Sequence, residues 1–260
     1  MIVVGDRTLV QFPISHYCEK ARWHLDAKGL DYRVRDVLPG AHKVIAARLG
    51  ARGTVPILVD DGRVLDDSSE IARHLEERYG DRGARLLPRD AEARTRVLAH
   101  EDWFDEEVGP HVRAFFYSAM LKERGGAAQV FFASYGSKRL ELLRPVLGPL
   151  FEAGIRFKYK LRDDTTDTAR AAIVRGFERL ERSIDGDPSR YLEGDDFTLA
   201  DLAAASMLAP VVAPRESAYV RTAETSLREV IELRDFLRGR CGWRWVERVY
   251  AQHRRAAPST

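Results

Sequence analysis

Residues 54–69 constrain this chain more tightly than any other segment. Thr54-Val55-Pro56 reads as the entry to a strand, because proline pushes the residue before it into extended geometry. The Val55-Pro56 bond has access to the cis form, which would turn the Val55 N–H and C=O outward, to pair with an extended peptide like one more strand. Ile57-Leu58-Val59 and Arg63-Val64-Leu65 then form a hairpin around Asp61-Gly62, a favoured tight-turn pair. The second strand runs into Asp67-Ser68-Ser69, which caps a helix carrying Ile71, Leu75 and Tyr79. Unbonded N–H groups and a small hydroxyl at a helix start suit a carboxylate. A backbone edge beside a carboxylate pocket points to a small peptide ligand. A plain βαβ unit with a well-capped helix would use the same residues.

The N-terminal segment decides between these readings. Residues 8–12 are a short strand-like run that ends in Pro13-Ile14-Ser15-His16. A helical segment follows over residues 17–28, with Cys18, Ala21 and Leu25 at helical spacing. Ser15 therefore stands at a helix N-terminus, where the macrodipole and unpaired amides favour negative charge. Tyr32, Val34 and Asp36 alternate as a second strand. The order β-α-β, helix, β-β-α fills residues 8–79.

With that order in place, the segment resembles the thioredoxin-like domain of the cytosolic glutathione S-transferase family. Ser15-His16-Tyr17-Cys18-Glu19-Lys20-Ala21-Arg22 looks like that family's active-site turn. Thr54-Val55-Pro56 looks like its cis-proline turn, and Asp67-Ser68-Ser69-Glu70-Ile71 like its motif for the γ-glutamyl group. The second half reads as mostly helical over residues 91–256, with Ala169, Ile173, Phe177, Leu180 and Ile184 on one apolar face. Thr198 should cap a helix there, with Asp201 answering it as in a capping box. The resemblance implies an α/β thioredoxin-like domain with a mixed four-stranded sheet at 1–80 and a linker at 81–90. An all-α domain at 91–260 would line the second-substrate site. The stretch 125–167 holds Gly125-Gly126, Phe131-Phe132, Tyr135, Pro145 and Pro149. It fits an elaboration over the active site or dimer cleft, or simply extra packing surface.

Composition is compatible with two modest cores in 260 residues. A formal net charge of +2 gives little support to a nucleic-acid partner. Cys18 and Cys241 form no disulfide or metal pattern, which suits a reducing cytosol. The opening Met1-Ile2-Val3-Val4 is too short for a signal sequence, and no 18-residue apolar run exists. A cytoplasmic location and no membrane partner are therefore expected. The most apolar stretch, residues 199–213, carries Asp201 and Pro210 and reads as a buried helix. Without a His/Asp/Glu cluster at ligand spacing or a Gly-rich phosphate loop, neither a metal nor a cofactor is expected.

A thiol peptide such as glutathione, the cosubstrate implied by the resemblance, is a poor nucleophile at neutral pH because little of it is thiolate. Each unit by which a protein lowers the thiol pKa corresponds to about 1.4 kcal/mol of thiolate stabilisation. The resemblance assigns the catalytic hydroxyl to Ser15, assisted by the helix start, and glutathione binding to Val55, Pro56, Asp67 and Ser68. It sets His42 and Lys43 towards the glycyl carboxylate, although exposed helix charges account for both equally well. Tyr17 reads as a packing or rim residue, His16 as a ligand contact at the helix mouth or a half-exposed turn residue, and Arg22 as structural. Phe12 stands where other members carry a catalytic tyrosine. The Ser-x-x-Cys order lacks the usual attacking sulfur, leaving Cys18 as a buried thiol. The first reading is a Ser-type transferase joining glutathione to a small apolar electrophile. Trp103, Phe104, Phe115, Phe116 and Tyr117 on the first long helix would contact that electrophile. A non-catalytic glutathione or apolar-ligand binder on the same fold is the second reading. A glutaredoxin-like reductase using Cys18 is the third. The resemblance also implies an isologous homodimer.

Overall fold

The structure is a computed structural model and describes residues 7–123, 125–159, 162, 164–222 and 227–254. Its first elements are β1 (Arg7–Gln11), α1 (His16–Ala27), β2 (Arg33–Asp36), α2 (Ala41–Leu49), β3 (Ile57–Asp60), β4 (Arg63–Leu65) and α3 (Ser68–Tyr79). The sheet runs β2-β1-β3-β4, with β1 parallel to β2 and antiparallel to β3, and β3 antiparallel to β4. Parallel pairing of β1 and β2 requires a crossover, which α1 provides. Asp61 and Gly62 both take positive φ, 47° and 82°, as the two-residue turn between twisted strands demands.

Alternation along the central strands builds two cores. Leu9 and Leu58 face Ala21, Leu25, Ile71 and Leu75 from α1 and α3. Val10 and Ile57 point to the other face, against Ala46 of α2, with Phe12 and Val55 packed at its margin. β2 lies at the sheet edge and is exposed at all four positions. Its alternating residues therefore mark a strand without marking a buried face.

The first helix departs from the simple amphipathic picture. Cys18, Ala21 and Leu25 are buried as their spacing predicts, and so are Lys20, Arg22, His24 and Lys28. Each of these has a specific partner. Lys20 meets Glu101 and, at 3.1 Å, the Ser69 hydroxyl. Arg22 donates to Glu19, to Gln11 and to the Pro13 carbonyl. His24 and Lys28 converge on Glu76 at 2.9 and 2.6 Å. Burial lowers the His24 pKa against the pull of Glu76, and its Nδ1 has no partner among the described residues. His24 is thus a neutral Nε2–H donor, and Lys28 supplies the charge. Burial pushes the Glu76 carboxyl up, but these partners outweigh it and leave it below its ordinary value.

Glu76 also accepts from the amides of Leu86 and Leu87, both at 3.3 Å. Lys28 donates to the Ala84 carbonyl at 2.8 Å, and the Ala84 amide to the Ala27 carbonyl at 2.9 Å. At Gly83, where φ is +56°, a Cβ would lie 2.2 Å from the Ala27 oxygen, so only glycine fits this approach. Residues 80–90, free of helix and strand, are therefore strapped to α1.

The helices that follow are α4 (Ala91–Trp103), α5 (Gly109–Lys122), α6 (Gly126–Ala133), α7 (Lys138–Tyr159), α8 (Thr165–Ser183), α9 (Leu199–Val212), α10 (Arg228–Leu237) and α11 (Cys241–His253). A π-helical turn, Phe104–Val108, separates α4 from α5. The single long helix expected here is interrupted because Pro110, at the start of α5, cannot donate the backbone bond a continuous helix needs. The predicted face of α8 is buried, and α9 is buried along its whole length. Thr198 and Asp201 form the expected cap: the carboxylate accepts from the Thr198 amide and hydroxyl and from the Leu192 amide, at 2.8–2.9 Å. Burial pushes the Asp201 carboxyl up to about 6 despite these three bonds. The chain divides into two compact units. One comprises residues up to 102 with 191–206, and the other comprises 103–190 with the residues from 207 onward.

Replacing Glu76 with Ala should cost about 3 kcal/mol in urea unfolding, because it leaves the Lys28 ammonium buried without a counter-charge. The same cluster sets a pH dependence. His24 and Glu76 both bind protons less readily folded than unfolded, so stability rises with pH through their range. His24's contribution is full above its ordinary 6.5 and falls as the pH drops below it; the Glu76 contribution follows below 4.5. An acid titration of the unfolding midpoint should show the upper step vanish in His24→Gln.

Candidate functional site

The residues singled out from the sequence gather at one end of the sheet. Ser15 follows the C-terminal end of β1, Pro56 precedes β3, and Asp67 follows β4. In the β3–β4 register Leu58 faces Leu65, and continuing it two places sets Pro56 opposite Asp67. In the β1–β3 register Val10 faces Ile57, which brings the strand leading to Ser15 beside the same turn.

Ser15 is the N-cap of α1, with extended backbone, and its Oγ accepts from the Cys18 amide at 3.4 Å. Its side chain is half-exposed, whereas Cys18 behind it is fully buried. Burial pushes the Cys18 thiol above its ordinary range, against the Arg22 charge and the Ser15 hydroxyl, so Cys18 holds its proton. The Ser15 hydroxyl already lies against one sulfur. A hydroxyl hydrogen rotates to suit its acceptor, so the same group can serve a second sulfur at the mouth of the helix.

The Val55-Pro56 bond is cis. Pro56 is buried and Val55 half-buried. Asp67 caps α3, its Oδ1 accepting from the Ser69 and Glu70 amides at 2.9 and 3.1 Å. Two of the amides expected for a ligand carboxylate are thus occupied by Asp67 itself. The neighbouring Ser68 stands at the first helical position and is buried.

His42 is not the exposed helix charge that spacing alone would allow. It is buried, its ring stands edge-on to Phe12 with centroids 5.0 Å apart, and its Nδ1 accepts from the Gly40 amide at 3.0 Å. A nitrogen that accepts carries no proton, so His42 is neutral here. Lys43, next in sequence, is exposed and supplies the cation of this helix start.

Two supports escaped the sequence reading. Arg52 donates through its backbone amide and guanidinium to Asp66, with a guanidinium–carboxylate distance of 2.9 Å, and reaches Glu70 at 3.2 Å. It staples the cis-proline loop to the turn that carries Asp67. Ser69 donates to Glu101 and accepts from Lys20, which fixes the start of α3 from behind. An arginine and an aspartate 14 residues apart on either side of a hairpin were the available signal for the first. The second joins residues far apart in sequence and left no local signal.

The aromatic residues expected at a second-substrate site differ in exposure. Phe104 and Phe115 are fully buried, while Trp103, Phe116 and Tyr117 are half-buried. The Arg179 guanidinium lies over the Trp103 ring at 4.4 Å, and Tyr117 packs against Tyr159 at 5.1 Å. Burial and the Tyr159 hydroxyl raise the Tyr117 pKa well above the ordinary phenol range.

Comparison with known proteins agrees with this geometry. Residues 9–83 match the family model for the glutathione S-transferase N-terminal domain. Glutathione S-transferase 3 of Zea mays is 29% identical over 197 residues, covering 74% of this chain and 72% of that protein. Glutathione S-transferase Z1 of Arabidopsis thaliana is 29% identical, covering 72% and 69%. Among solved structures, the β-etherase LigF from Sphingobium sp. strain SYK-6 superposes with a TM-score of 0.62 at 20% identity, over 93% of this chain and 98% of that one. A glutathione S-transferase from Xanthobacter autotrophicus Py2 gives 0.59 at 22%, over 97% of both. The structural matches establish the fold: a thioredoxin-like α/β domain followed by helices. With residues 9–83 matched and its cis-proline and serine turns at one end of the sheet, the chain carries a glutathione S-transferase N-terminal domain and is similar over about three quarters of its length to members of that family.

Proposed function

We propose that the protein conjugates the glutathione thiolate to a small, apolar electrophile, with Ser15 as the catalytic group. The observation that carries this reading is the contrast at the start of α1. Ser15 presents a half-exposed hydroxyl at the positive end of a helix, while the Cys18 sulfur beside it is buried and held protonated. That contrast also counts against a reductase working through Cys18. No metal or further cofactor enters the proposal, since the thiol proton can leave to solvent.

Glutathione would pair its backbone with Val55 before Pro56 and set its γ-glutamyl carboxylate at Ser68. Its amino group would lie near Asp67 and its glycyl carboxylate near Lys43, with neutral His42 offering an N–H. Trp103, Phe116 and Tyr117 are the aromatics exposed enough to meet an electrophile. Such a protein would act in detoxification in the cytoplasm, and as a homodimer. Light scattering at micromolar concentration should give twice the monomer mass, and a monomer would refute the dimer.

Ser15→Ala should lower turnover about ten- to a hundredfold, the value of one hydrogen bond to a charged sulfur. It should also raise the pKa in the pH–rate profile while leaving glutathione affinity nearly intact. Because Ser15 is also a cap, the variant should lose roughly 1 kcal/mol of stability. Full activity with an unshifted profile would transfer the role to backbone amides. Glutathione binding without turnover of any electrophile in a panel would favour the non-catalytic binder instead.

Asp67 allows cap and charge to be separated. Asp67→Asn keeps a good N-cap and removes the charge, whereas Asp67→Ala removes both. Calorimetry should show both variants binding glutathione more weakly by at least about 1 kcal/mol, with only the Ala variant also losing stability. An unchanged Kd in both would end the assignment of Asp67 to the ligand.

A further inference from the structure

The helix α7 has two faces of opposite character. Its inner face packs on α6: at Gly148 a Cβ would come within 3.0 Å of the Ala128 Cβ, and Phe151 stacks between Phe131 and Phe132 with centroids 4.8 and 5.7 Å away. Its outer face is apolar and in water. Leu142, Val146, Leu150 and Phe157 are 81, 69, 70 and 88% exposed, with Pro149 and Ala153 between them. Single exposed apolar residues need no explanation, but a continuous stripe on a helix about 33 Å long marks a contact surface.

Charge tells what covers it. Exposed cations stand at both ends, Lys138 and Arg139 at one and Lys158 at the other, whereas the Arg156 guanidinium turns inward and donates to the Leu121 carbonyl at 2.8 Å. Neither carboxylate of the helix is left to offset them: Glu152 turns inward and accepts from the Ala128 amide at 3.3 Å, and Glu141 pairs with Arg144 of the same helix at 3.8 Å. A second copy of α7 is a poor match, because antiparallel pairing would set Lys138 and Arg139 against Lys158. Parallel pairing would set each cation against itself. The counter-surface must be apolar along its length and negative at both ends. An anionic lipid surface has that pattern, with acyl chains beneath a layer of phosphates.

We propose that α7 lies along an anionic membrane surface. Its leucine, valine and phenylalanine side chains enter the acyl boundary, and its terminal cations meet lipid phosphates. The sequence contains no apolar run long enough to span, and among the described residues no helix is long and apolar enough to cross a membrane. That excludes crossing by a helix and leaves lying on the surface open.

The test is co-sedimentation of the full chain with vesicles of phosphatidylcholine alone or mixed with phosphatidylglycerol. Binding to the mixed vesicles should be stronger by about tenfold or more, and should weaken as salt rises. The triple variant Leu142→Gln/Leu150→Gln/Phe157→Gln should lose it while keeping the native thermal midpoint, since these side chains already face water. On the otherwise native chain, Phe157→Trp should show a blue-shifted emission with anionic vesicles only. No binding by the native chain, undiminished binding by the triple variant, or an unshifted tryptophan emission would each overturn the proposal. A native chain that is larger than the triple variant by light scattering would also overturn it, and would assign the face to a second copy.

Discussion

The N-terminal unit depends on how α1 carries cationic side chains through its interior. A buried ammonium or guanidinium without a partner costs several kcal/mol, so each has to be answered within hydrogen-bond reach. Glu101 answers Lys20, Glu19 and Gln11 answer Arg22, and Glu76 answers Lys28. These partners lie on different elements, so charge neutralisation fixes where α3, α4 and the 80–90 strap sit around α1 in a way that apolar contact alone would not. Leucine and alanine at the same sites would tolerate small rotations of the helix; a lysine between a carboxylate and a hydroxyl does not.

That arrangement explains what could and could not be read from the sequence. Turn and cap chemistry was legible because it is local. Asp61-Gly62 needs two positive φ values, Thr198 and Asp201 need only each other and one amide, and Ser15 and Asp67 cap the helices they precede. The buried face of α8 was legible because its apolar residues repeat at the helical period, and α9 because its run is apolar almost throughout. The interior of α1 was not. A polar residue on a helix normally means water, and only long-range partners such as Glu101 reverse that meaning. The π-helical turn at Phe104–Val108 was likewise hidden, since Pro110 signals a break without saying how the backbone absorbs it.

The 125–167 stretch shows a different limit. Prolines at 145 and 149 argue against a helix interior, yet both lie inside the 22 residues of α7. Each removes a backbone bond, and tight packing at Gly148 and the Phe151 stack hold the helix together across the gap. Tertiary contact outweighed local preference there.

The starts of α1 and α3, at one end of the sheet, are each capped by a side chain of the protein itself. Ser15 bonds the Cys18 amide, and Asp67 bonds those of Ser69 and Glu70. A ligand arriving there exchanges one set of hydrogen bonds for another and gains only the difference. On the proposed function the same exchange runs in reverse when a conjugate departs, because Ser15 and Asp67 still bond the first-turn amides of their own helices. Helix starts that the protein caps for itself would, on the proposed function, favour quick release over tight retention, and so suit repeated turnover.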